Sequence, residues 1–94
     1  MEITYESILN KPMLLEVYNY SKQDEFLDRV QMMGSVIFAQ ENGMAFKIDE
    51  SGRVLTLSGD LSYIEAADPN GYELDATGET VHPELITAYK VYVE

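Results

Sequence analysis

Seven carboxylates, Asp60, Glu65, Asp68, Glu73, Asp75, Glu79 and Glu84, fall within residues 60 to 84, and no lysine or arginine interrupts them. Oxygen ligands at that density invite a test for calcium. Setting Asp68 at the first position of an EF-hand loop places Asn70 at the third and Glu79 at the twelfth, all acceptable ligands. The fifth and sixth positions are then Tyr72 and Glu73, where the loop needs a side-chain oxygen and a glycine for its sharp turn. The spacing therefore predicts no metal site, and the tract reads as a solvated acidic surface.

Other chemistries are tested the same way. His82 is the only histidine, so a transition-metal site would rest on one imidazole plus carboxylates, and a lone histidine before proline reads as a loop residue. The chain has no cysteine, which removes thiolate nucleophiles, thiolate metal sites and disulfides. None of Ser7, Ser21, Ser35, Ser51, Ser58 or Ser62 lies in a Gly-x-Ser-x-Gly elbow. The six glycines stand singly, without the Gly-rich run and following Lys and Ser/Thr of a phosphate loop. Paired carboxylates for glycoside chemistry are present by type, but they need a cleft that raises one pKa, and 94 residues leave little volume for both core and cleft. The expectation is a non-enzymatic protein with no cofactor. An acidic enzyme built around His82 is the weakest of the competing ideas.

What remains is surface chemistry. Seventeen acids against six bases give a net charge of −11, the wrong sign for neutralising a phosphate backbone, so direct nucleic-acid binding is not expected. Seven tyrosines without a tryptophan supply aromatic contact area of the kind enriched at interface hot spots, although each ring is also at home half-buried on a sheet. Negative charge steers a positive partner inward and aromatic anchors hold it. On this basis Asp60, Tyr63, Glu65, Asp68, Tyr72, Glu73, Asp75 and Glu79 are the candidate partner-binding residues. The expected partner is a basic protein, and the expected role is that of an immunity or antitoxin protein, an inhibitor of a nucleic-acid enzyme, or a nucleic-acid mimic. The alternative is a structural or assembly subunit that pairs through exposed sheet edges. No apolar run is long enough to span a membrane and the first ten residues are acidic where a signal peptide would be basic, so a cytoplasmic location is expected.

The elements that must position these residues centre on Ser35 to Leu57. Val36 to Ala39 is a continuous apolar run, and Met44, Phe46 and Ile48 alternate with Ala45, Lys47 and Asp49. Asn42-Gly43 between them predicts a type I′ hairpin turn, and Ser51-Gly52 turns the chain into a third strand, Arg53 to Leu57. Met13 to Tyr20 predicts a strand with tyrosines on its second face, and Ile86 to Val93 a closing strand. Tyr72 to Leu74 reads as a short strand after the Asp68-Pro69-Asn70-Gly71 turn. Thr4 is a candidate cap for a short helical turn stopped at Asn10-Lys11-Pro12, with a strand at Ile3 to Tyr5 as competitor.

One proper helix is expected, from Lys22 to Met33. Ser21 caps it, Asp24 and Glu25 suit its first turn, Phe26, Leu27, Val30 and Met33 form its apolar stripe, and Gly34 ends it in a left-handed conformation. The predicted fold is a single β-dominated α+β domain, residues 1 to 94, with a curved antiparallel sheet of about five strands under one packed helix. A rival reading makes Phe26 to Met32 a strand and the whole a small all-β barrel.

Overall fold

The computed structural model describes residues 2–93. Among the described residues there are eight strands: β1 (Met13–Tyr20), β2 (Phe26–Gln40), β3 (Gly43–Ile48), β4 (Val54–Leu57), β5 (Ile64–Ala66), β6 (Tyr72–Glu73), β7 (Thr80–Val81) and β8 (Leu85–Tyr92). Six of them form one mixed sheet in the order β4-β3-β2-β1-β8-β5, and β6 pairs with β7 in a separate two-stranded arm. The only helical element among the described residues is a single 3-10 turn, Leu61–Tyr63. The α+β expectation is therefore wrong: there is no packed helix. The barrel is not formed either, since β4 and β5 are unjoined edges of an open sheet.

The expected helix is instead the first half of β2, a strand of fifteen residues. Ser21 does accept backbone N–H groups through its hydroxyl, from Gln23 and Glu25 at 3.2 Å each, as a helix cap would. It caps a hairpin turn, however, in which Asp24 takes a left-handed φ of 65° and the Ser21 N–H donates to the Glu25 carbonyl at 2.8 Å. Tertiary pairing then overrides the helical spacing of the apolar residues. Val17 lies opposite Val30, Leu15 opposite Met32 and Tyr20 opposite Phe26, so the stripe meant for one helix face is divided between two faces of a strand.

Gly34 has a different role from the one expected. It lies inside β2, opposite Met13 on one side and Ile48 on the other, where the strand passes from pairing with β1 to pairing with β3. A Cβ there would collide with the Lys47 carbonyl and the Phe46 ring. Glycine is required by close approach, not by φ. The β3–β4 end of the sheet faces the β1–β8 end, since residues of β4 and β8 line one cleft, and the core lies between them. Ile8, Met13, Leu15, Val36, Met44, Phe46, Ile64 and Leu85 are all buried there. Each large side chain contributes roughly 1.5–3 kcal/mol by leaving water.

The meander from residue 35 to 57 forms as three strands. Its first turn is displaced by one residue from expectation: Gln40 pairs with Gly43, so the loop is Glu41-Asn42, and neither residue has positive φ as a type I′ turn requires. The second turn is as expected, with Gly52 at a φ of 73° and its N–H donating to the Ile48 carbonyl at 2.8 Å. Thr4 accepts from the Ser7 N–H and Ile8 donates to the Thr4 carbonyl, giving the short N-terminal turn that delivers Ile8 to the core.

The sheet is not wholly antiparallel, because β8 lies parallel to β1 over its full length, from Met13 opposite Leu85 to Tyr20 opposite Tyr92. A parallel neighbour demands a long crossover, and residues 21 to 84, meander and arm together, are that crossover.

Candidate functional site

Alternation along β1 sends Met13, Leu15 and Val17 into the core and Leu14, Glu16, Tyr18 and Tyr20 to the opposite face. On that outer face the register sets Glu16 beside Gln31 and Ala88, Tyr18 beside Arg29 and Lys90, and Tyr20 beside Phe26 and Tyr92. The β6–β7 arm is tied to the same face. Arg29 makes a bidentate pair with Asp75 at 2.6 and 2.9 Å, the Asp75 N–H donates to Gln31 Oε1 at 2.8 Å, and Gln31 Nε2 donates to the Glu73 carbonyl at 3.4 Å.

Beneath this junction Glu16 is only 5% exposed. Its carboxylate accepts from Gln31 Nε2 at 2.8 Å and from the Tyr18 hydroxyl at 3.1 Å, and lies 3.4 Å from an Arg29 guanidinium nitrogen. A buried charge is tolerated only with such partners. The hydrogen bond to Asp75, with a second to Tyr18, pushes the Arg29 pKa further up, and the same bond holds the Asp75 carboxyl below the usual range.

Further along the face the rings of Tyr18, Tyr20, Phe26 and Tyr92 form a contiguous cluster, with centroid separations of 5.7 to 6.4 Å. Lys90 Nζ sits 4.5 Å from the Tyr20 centroid and 5.0 Å from that of Tyr92, and Arg29 lies 5.8 Å from the Tyr18 centroid, so both cations rest on aromatic faces. Asp24 closes the cluster by accepting from the Tyr92 hydroxyl at 2.8 Å and pairing with Lys90 at 3.1 Å. The bond from Tyr92, and after it the one from Lys90, lowers the Asp24 pKa, while hydrogen bonding to Tyr92 first and to Asp24 second raises that of Lys90. The cations of this face are satisfied from within the molecule.

The eight residues expected to bind a partner are brought together in part. Glu73 lies on β6 and Glu79 immediately before β7, where the Glu79 carbonyl accepts from the Leu74 N–H, and Asp75, between them in sequence, bonds to Arg29 of the sheet. Asp68 and Tyr72 form its base: the Tyr72 hydroxyl accepts from the Asp68 N–H at 2.9 Å, and Asp68 caps the Asn70 N–H at 2.8 Å. Glu65 is on β5, opposite Ile86. Asp60 and Tyr63 stand apart on the 3-10 turn, where Asp60 accepts from the Ser62 backbone, which lowers its pKa, and Tyr63 stacks on Tyr89 at 5.0 Å.

All seven acids from Asp60 to Glu84 are exposed, as is His82, and among the described residues no three His, Asp or Glu side chains converge to hold a metal ion. Glu16, Asp24, Arg29 and Lys90 were missed by sequence reasoning. The tyrosines on the second face of β1 were the one local signal pointing to them. No known family, curated protein or solved structure matches this chain. Among the described residues no helix is long and apolar enough to cross a membrane.

Proposed function

We propose that this chain is a non-enzymatic acidic interaction domain that masks a basic surface of a partner protein, as an immunity or antitoxin protein, an inhibitor of a nucleic-acid enzyme or a nucleic-acid mimic does. One observation carries the reading. Of the seven carboxylates between residues 60 and 84, Asp75 alone has an ion pair among the described residues, and it is the one that fastens the arm to the sheet. The other six are exposed and have no ion pair among the described residues, which leaves them open to an external cation.

The test is capture from native lysate at low salt, run in parallel with a variant carrying Glu65→Gln, Glu73→Gln and Glu79→Gln, followed by elution in a salt gradient. A basic protein held by the wild type, released by salt and not retained by the variant is the expected result. Equal retention by both proteins at high salt would reject the mechanism.

A second reading, an assembly subunit joined through sheet edges, is favoured by one feature. Among the described residues the first half of β2 pairs only with β1, and Leu27 and Val30 along it are exposed. Light scattering separates the two: a concentration-independent monomer fits the binder, a stable symmetric oligomer the subunit.

A further inference from the structure

Strands β4 and β8 approach each other without pairing, and the opening between them has an unusual lining. A cleft of about 430 Å³ is bordered by the consecutive residues Leu55, Thr56, Leu57 and Ser58 on one side and Tyr89, Lys90 and Val91 on the other, with Leu15 and Val17 on its floor. Side chains on a strand alternate between faces, so a wall made of consecutive residues is a wall of backbone edge. Both edges are free among the described residues. β4 pairs with β3 alone, and β8, beyond its short ladder with β5 at Leu85 to Thr87, pairs with β1 alone. Two rows of unpaired N–H and C=O groups therefore flank an apolar floor.

We infer that this gap is a strand-addition site, taking an extended segment of a partner that alternates apolar residues with lysine or arginine. The inference rests on the proposed role as a binder of basic proteins and says how such a partner docks. Alternate residues of an inserted strand would face Leu15, Val17, Leu55 and Leu57, and the intervening ones would face outward. The backbone bonds would come from β4 and β8, closing the open sheet and removing both edges at once. Charge selects the occupant. A second copy would set −11 against −11, whereas a cationic segment is drawn to the molecule. Tyr89 marks the site chemically, because its hydroxyl is buried near Thr87 and the Ser58 backbone without a hydrogen bond of good geometry, and burial pushes its pKa up.

The experiment is amide hydrogen exchange on the intact chain with and without a synthetic alternating lysine–valine peptide of about eight residues, an ordinary strand length. Protection is expected to rise about tenfold or more at amides within residues 54–57 and 88–92. The same peptide with proline at each valine position, which lacks every N–H donor toward one of the two edges and the apolar side chains that fit the floor, is expected to give none. Three results would overturn the inference: salt-dependent peptide binding that leaves those amides unprotected, protection confined to the free edge of β2, or protection of the same amides by self-association without peptide. Protection in the gap that does not weaken with salt would uphold strand addition while rejecting the charge-masking role on which the choice of partner was based.

Discussion

Glu16 is a carboxylate under 10% exposed on a protein that displays most of its acids to water, and three groups from two strands are organised around it. Glu16→Ala leaves Gln31, Tyr18 and Arg29 without their shared acceptor and is expected to cost about 2 kcal/mol in urea unfolding. Glu16→Gln, which keeps one acceptor, is expected to cost less. Asp75 supplies a pH dependence whose sign follows from its lowered pKa. A carboxylate depressed in the folded state stabilises it above the ordinary aspartate value of about 3.9, and that contribution is lost as pH falls through the depressed value. Acid is therefore expected to release the arm from Arg29 and Gln31, seen as loss of exchange protection at the Asp75 amide. Asp75→Asn should show weaker protection already at neutral pH. The tyrosines at 18 and 20 were legible as one face of a strand, but Arg29–Asp75 and Asp24–Tyr92 join residues 46 and 68 positions apart. Local spacing holds no trace of such pairs.

The hairpin from β1 into β2 shows why the helix was misread. Ser21, Asp24 and Glu25 are as suitable for a tight turn as for a helix cap, and Phe26, Leu27, Val30 and Met33 match a helical stripe as well as a two-sided strand. The ambiguity is resolved by β1, which supplies a partner for every residue from Phe26 to Gly34 save the bulged Leu27. Elements read from strict alternation or strong turn residues, such as β1, β3 and the Gly52 turn, formed as expected, since their signals are local. The parallel placement of β8 could not be read at all, because it depends on where a crossover of more than sixty residues ends. Gly34→Ala tests the close approach: overpacking against Lys47 and Phe46 is expected to destabilise by about 1–3 kcal/mol. Gly52→Ala, with nothing within 4 Å of the added Cβ but a positive φ, is expected to cost about 1 kcal/mol. Equal losses at the two sites would argue against a steric requirement for glycine at position 34.

For the molecule as a whole, a net charge of −11 on 94 residues sets two opposing demands. Self-repulsion weakens the fold, so moving from about 20 mM to about 300 mM salt, which shortens the screening length to roughly 6 Å, is expected to raise the urea midpoint. The same screening must weaken any partner held by carboxylates. The account therefore predicts that salt strengthens the protein and loosens its complex. The most direct test is an NMR titration, at both ionic strengths, with an all-lysine peptide, which lacks the apolar side chains that the gap between β4 and β8 would take. Shifts concentrated at Glu65, Asp68, Glu73 and Glu79 that fade at high salt are the expected result. Shifts spread evenly over carboxylates of every strand, or unchanged by salt, would contradict it.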